Sequence, residues 1–157
     1  LADEGEYRAH FHANFCAAPL QLVNDGQGIL VYFKKKDFDH AFYDRSARGG
    51  PKDQFSLQRA CRMPMIAEAL ADDQNERYQG WDKDKGAIDS TRCVCVVTAE
   101  DFVVVIRLGL TDRGELRGWF VTCYFADSPS TITQIRQKPA WDQGLCEANL
   151  AAQRSRR

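Results

Sequence analysis

Residues Arg92 to Phe125 read RCVCVVTAEDFVVVIRLGLTDRGELRGWFVTCYF. Three apolar runs are parted by two short polar breaks, Ala99-Glu100-Asp101 and Thr111-Asp112-Arg113-Gly114. The runs are rich in Val, Ile, Phe and other β-branched or aromatic residues, which suit a pleated, half-buried surface. Breaks this short force antiparallel neighbours, so the stretch predicts a three-stranded meander over 92–98, 102–108 and 116–125. Centring the two turns sets Phe102, Val104, Ile106 and Leu108 on one core face with Trp119, Val121, Cys123 and Phe125. The opposite face then carries Val103, Val105, Arg107, Phe120, Thr122 and Tyr124. A slip of one residue exchanges the faces of a strand. In this register Arg107, Thr122 and Tyr124 share a semi-polar face that can floor a cleft.

Upstream of the meander the pattern turns helical. Tyr7, Phe11 and Phe15 recur every four residues, as on the aromatic face of a short helix. His10 and His12 are two apart and would not face each other, so they do not form a shared metal site. Pro19 ends that helix. Short strands at 20–23 and 29–33 flank Asn24-Asp25-Gly26-Gln27-Gly28, a turn cluster, and predict a hairpin. Asp37 is expected to cap a helix at 38–43 with Phe38 and Phe42 inward and His40 away from them. Residues 45–52 hold Gly49-Gly50-Pro51 and read as a mobile basic loop. Ser56 is the expected N-cap of the next helix, with Leu57, Ala60 and Cys61 on one face and Arg59 and Arg62 on another. Pro64 either kinks that helix or opens a second one.

Residues 71–90 are polar and read as a long surface loop, a functional flap anchored by Tyr78 and Trp81. Beyond the meander, 131–138 and 147–153 have helical propensity, Pro139 stops the first, and Trp141 is expected to pack. The fold class is therefore α+β, with N-terminal helices packed on a small antiparallel β-sheet, the meander. The chain divides into an aromatic segment and turn (1–28), a catalytic region (29–142), and a C-terminal helix with a basic tail (143–157).

A length of 157 residues suits one domain with a genuine core. A hydrophobic content of 44%, a charged content of 27% and a net charge of -1 suit a soluble protein and not a nonspecific DNA-coating one. Cations nonetheless cluster at Lys34 to Lys36, in the arginines from Arg45 to Arg62, and in the tail. No apolar run approaches the ~20 residues needed to cross a bilayer. The acidic start lacks the apolar core of a signal peptide, and without a methionine it is expected to be a piece cut from a longer chain. Six cysteines, with Cys93-Val-Cys95 as the only close pair, fit neither a redox motif nor a zinc site and read as reduced core thiols.

The segment from Asp37 to Arg62 concentrates the chemistry. His40 is the natural acid or base near neutral pH. Arg45, Arg48, Arg59 and Arg62 supply phosphate-sized cations, and Tyr43 a hydroxyl. Metal-independent RNA cleavage needs a base for the 2′-hydroxyl, cations for the phosphorane and an acid for the leaving oxygen. A histidine, arginines and a hydroxyl donor meet that need, and the lack of a carboxylate-rich cluster argues against a two-metal nuclease. Taken singly, each of these residues is commonplace on a protein surface.

Phe38-Asp-His-Ala-Phe42, then Phe55-Ser56-Leu-Gln-Arg59-Ala60-Cys-Arg62-Met-Pro64, then the strand ending Trp119-Phe-Val-Thr122-Cys-Tyr124, resembles the barnase–EndoU–colicin–RelE-like group of small nuclease toxins. The likeness spans roughly residues 29–142 and rests on the order of motifs. It implies helices followed by an antiparallel sheet, a ribonuclease acting on RNA, often tRNA, and leaving a 2′,3′-cyclic phosphate. By the resemblance His40, Arg59 or Arg62, and Thr122 with Tyr124 nearby match the group's catalytic positions; the reading of the residues takes His40, Arg59, Arg62, Thr122 and Tyr124 as catalytic and adds Arg45, Arg107 and Tyr43 against the substrate. No cofactor or metal is called for. A cognate immunity protein is the expected partner, and the expected setting is a secreted or delivered effector acting in a target-cell cytoplasm. Two other functions fit the residues. An ADP-ribosyltransferase would need a glutamate, for which Glu100, Glu115 and Glu147 are available. A non-catalytic interaction module would use the 71–90 segment and the aromatic helix.

Overall fold

The computed structural model describes residues 2–97, 100–126 and 128–156. Thr98 and Ala99, assigned above to a strand end and a turn, and Arg157 of the basic tail lie outside these residues. The chain is α+β, with a six-stranded mixed sheet, a separate two-stranded sheet and helices on both sides.

Helix α1 (Glu4–Phe11) starts where the Asp3 carboxylate accepts the Glu6 N–H at 2.9 Å, with Glu4 and Glu6 favourably placed in its first turn. It continues as a π-helical stretch, His12–Cys16. Tyr7, Phe11 and Phe15 all turn inward. Strands β1 (Leu20–Asn24) and β2 (Gln27–Tyr32) form the expected hairpin. Its two turn residues, Asp25 and Gly26, have φ of 49° and 77°, the mirror-image turn that matches strand twist.

Helix α2 (Asp37–Ala41) buries Phe38, and Phe42 follows it into the core. Asp37 is the first helical residue and not the cap, and its carboxylate accepts the Lys34 N–H at 2.8 Å. The expected basic loop keeps 46–51 as the turn of a hairpin whose strands are β3 (Tyr43–Arg45) and β4 (Lys52–Phe55). Ser56 does cap α3 (Leu57–Ala60), its hydroxyl accepting the Arg59 N–H at 3.3 Å. Pro64 opens α4 (Pro64–Ala71). Because α3 is a single turn, Ala60 and Met63 take the inward positions, while Leu57 and Cys61 stay exposed, contrary to the expected apolar face.

The segment expected to be a loop at 71–90 is mostly strand. β5 (Glu76–Asp82) and β6 (Ala87–Val97) form a hairpin, and β7 (Phe102–Leu110) and β8 (Leu116–Phe125) complete a four-stranded meander. The inward residues of β5 are polar. Arg77 donates to the carbonyls of Val23, Leu70 and Asp72, and Gln79 to that of Ala140. With these bonds made, burial of polar groups is tolerated. Helices α5 (Pro129–Arg136) and α6 (Gln143–Ser155) end the chain, with Trp141 buried between them.

The sheet order is β1-β2-β8-β7-β6-β5. All neighbours are antiparallel except β2 and β8, which run parallel and pair only through Val31↔Gly118 and Tyr32↔Trp119. On one face α4 packs on β1 and β6, α2 and α3 on β8, and α6 on β6 and β7. One aromatic core there takes in Tyr7, Phe11 and Phe15 as well as Trp141 and Cys146. On the other face α5 covers Val94, Val96 and Val103 through Ile132.

The meander register holds from Phe102↔Phe125 to Val105↔Thr122, then shifts, because Val121 is an extra residue in β8. Past this bulge Ile106 faces Phe120 and Arg107 faces Trp119. Trp119 and Val121 are thus not core-face partners. Phe120 is buried against Phe33 at 4.8 Å, and Trp119 stands on the far face with Arg107. Arg107, Thr122 and Tyr124 share that far face, as expected.

Candidate functional site

Three features of the chain converge where β2 leaves the sheet. The β2–β8 pairing stops after Tyr32, β8 bulges at Val121, and α2 packs beside β8. A cavity of about 260 Å³ opens at this gap. Its lining comes from both sides of the sheet: Lys34, Lys36, Asp37 and His40 from the approach to α2 and from α2 itself, Arg107 and Trp119 from the far face, and Phe120 and Val121 at the bulge.

His40 sits in the last turn of α2. Among the described residues its ring makes no hydrogen bond. Its backbone carbonyl accepts the Lys52 ammonium at 2.6 Å, and the Ala41 carbonyl accepts the Arg59 guanidinium at 3.3 Å. These are end-of-helix carbonyls without a partner inside the helix, and cations at a helix C-terminus are favoured. Capping α2 thus draws Lys52 and Arg59 to His40. Burial, then the charges of Lys52, Arg45 and Arg59, hold the imidazole below its ordinary pKa, and Asp37 opposes them. Lys52 is also held below the usual lysine range, by burial and by Arg59 and Arg45. At neutral pH the site therefore presents an uncharged imidazole among cations.

The arginines are engaged to different degrees. Arg59 is ion-paired to Asp44 at 3.3 Å, and Arg45 donates to the Gly50 carbonyl at 2.6 Å across the β3–β4 loop. Arg62 does not join His40. It pairs with Glu100 at 3.7 Å and lies over Phe125 at 5.5 Å, at the other end of β8. Tyr43 is committed to α1, its hydroxyl donating to Glu4 and accepting from Arg8. Thr122 and Tyr124 line a separate groove of about 620 Å³ between the far face and α5, and Val121 borders both hollows. Burial alone raises the Tyr124 phenol, so it stays protonated. Burial also pushes the Cys123 thiol up to about 12, which makes it no nucleophile.

Three cations matter most: Arg107, expected against the substrate, and Lys34 and Lys36, noted in the sequence only as part of a basic run. Lys34, Lys36 and Arg107 form no ion pair among the described residues, and all three line the His40 cavity. Lys52 is the cation that the sequence did not single out, brought beside His40 by the β3–β4 hairpin. The run of lysines after an apolar strand was a usable signal for the first two, and nothing local marks Lys52. Of the glutamates considered for an ADP-ribosyltransferase, Glu100 pairs with Arg62 and Glu115 with Arg117, and Glu147 lines a different hollow near Trp141. Among the described residues no group of three or more His, Cys, Asp or Glu is set to hold a metal, and no helix is long and apolar enough to cross a membrane. No family model matches the chain, and neither a curated protein nor a solved structure is detectably similar to it.

Proposed function

We propose that the cavity at the end of β2 is the catalytic site of a metal-independent ribonuclease. The observation that carries the reading is the state of His40. Its ring lacks a partner among the described residues, lies beside the unpaired Lys34, Lys36 and Arg107, and is kept uncharged by burial and Lys52. An uncharged imidazole takes the 2′-hydroxyl proton as the 2′-oxygen bonds to phosphorus. Lys34, Lys36 and Arg107 neutralise the charge that develops on the phosphorane oxygens. The bond from phosphorus to the 5′-oxygen breaks, and that oxygen takes a proton from Lys52. Arginine holds its protons too firmly for this step, whereas a lysine of lowered pKa can give one up. The product is a 2′,3′-cyclic phosphate. Arg59 and Arg45 act through their field on His40, while Thr122 and Tyr124 meet substrate beyond the scissile phosphate. The toxin setting, delivery into a target cell and an immunity partner follow from the resemblance and not from the cavity.

Incubating the protein with total RNA in chelator tests the reading. The expected outcome is fragments with cyclic phosphate ends, formed about 10²–10⁴-fold more slowly by His40→Ala. Equal rates for the two proteins would remove His40 from the mechanism. Intact RNA with NAD consumed would replace the nuclease by the transferase.

The pH dependence has a definite sign. The active form of His40 is uncharged, so activity falls in acid, with the inflection below the ordinary value of about 6.5. An NMR titration of the His40 ring reads the same quantity without turnover. Lys52→Gln removes a neighbouring cation and is expected to move that titration upward, and an unmoved midpoint would discard the electrostatic account.

A further inference from the structure

The far face of the sheet carries a row of side chains that the core does not require, of which only Arg107 enters the cleavage step. Tyr32 pairs with Trp119, Trp119 with Arg107, and Arg107 with Arg92. Residues directly opposite one another project from the same face. The four therefore stand side by side across β2, β8, β7 and β6. The Tyr32 and Trp119 rings are 6.4 Å apart and tilted by 31°, and the Arg107 guanidinium lies 5.2 Å from the Trp119 centroid. Arg92 lies across Gly80 of β5, where an added Cβ would stand 2.6 Å from the Arg92 Cβ. None of the four is buried, and Tyr32 is 38% exposed. Helix α5 rests on Val94, Val96 and Val103, farther along the strands.

Two features of this row call for an anion together with flat apolar rings. Arg92 and Arg107 are like charges directly opposite each other in a ladder, an arrangement that destabilises a sheet. Arg92 has Asp89 at 3.3 Å, but Arg107 has no carboxylate among the described residues. The two rings beside them, Tyr32 exposed and Trp119 half-buried, present flat surface of the kind on which bases stack. Beyond Arg92 the alternation continues, with Trp81 47% exposed and the Lys138 ammonium 5.8 Å from its ring.

We infer that this row seats the unpaired bases of a single-stranded RNA, stacked on Trp119 and Tyr32, with backbone phosphates at Arg107 and Arg92. Bases inside a duplex are already stacked and cannot lie on side-chain rings, so a single strand is the favoured form. Because Trp119 and Arg107 also line the His40 cavity, a base on Trp119 sets the adjoining phosphate at His40. This inference rests on the ribonuclease reading and names its substrate class as single-stranded, loop or end segments.

The test is binding of a 2′-O-methyl oligonucleotide, followed by quenching of tryptophan fluorescence and by a labelled-oligonucleotide titration. Such a strand has no free 2′-hydroxyl to attack, so the readout is independent of whether RNA is cut. Single strand is expected to bind at least tenfold more tightly than the same sequence as a duplex. Trp119→Ala is expected to weaken single-strand binding about tenfold, the equivalent of one stacked base. Tyr32→Ala, at an exposed site that does not threaten folding, is expected to weaken it severalfold. Parent-like binding by both variants overturns the inference even if the protein cuts RNA. So does equal affinity for duplex, or equal competition by a polyglutamate peptide, either of which would mark a surface for anions in general.

Discussion

On one face of the sheet Phe11, Phe15, Phe33, Phe38, Phe42 and Phe120 meet ring against ring, with centroids mostly 5–6 Å apart and little or no exposure. On the other, α5 covers a valine patch and leaves Tyr32, Trp119, Arg107 and Arg92 open. β8 serves both faces. Its bulge at Val121 lets Phe120 and Cys123 point into the dry core while Trp119 and Thr122 point out. The difference teaches where stability resides. One face is filled with interlocking rings, and the opposite face keeps aromatic and cationic side chains at its surface.

Stability measurements can break or sharpen this contrast. Phe11→Ala is expected to cost about 3–5 kcal/mol in urea unfolding, since the site is fully buried among five other rings. Ile132→Ala, which loosens α5 on the far face, is expected to cost about 2 kcal/mol, the low end for a large aliphatic truncation. Should it equal Phe11→Ala, the two faces would be energetic equals. Arg107→Gln loses a cation over Trp119 but relieves the opposition to Arg92. The net change should stay within about 0.5 kcal/mol. A larger loss would make the open row part of the scaffold.

Much of this was legible in the sequence. The helical spacing of Tyr7, Phe11 and Phe15, the Asp25-Gly26 turn, the Ser56 cap and the apolar meander each rest on local chemistry, and the structure has all of them. The β5–β6 hairpin was not legible, because Arg77 and Gln79 are its buried residues and hydrophobic periodicity cannot find a strand whose inner face is polar. The flipped positions of Trp119 and Phe120 escaped for another reason, since a bulge adds one residue without leaving a local mark. At the site, His40, Arg45 and Arg59 do gather, as their closeness in sequence suggested. Arg62 and Tyr43 diverge because Glu100 and Glu4, distant in sequence, hold them elsewhere. Lys52 arrives only through the pairing of β3 with β4.

The parallel contact of β2 with β8 also governs the order in which the molecule can assemble. Val31 and Gly118 are direct partners but lie far apart along the chain, with β3 to β7 all made between β2 and β8. A nascent chain can close the β1–β2 hairpin early, but that hairpin has no neighbour until β8 has emerged. Pairings of such long range are slow to form. The gap beside His40 is bounded by both strands, so a chain that has not yet made β8 cannot hold this cavity.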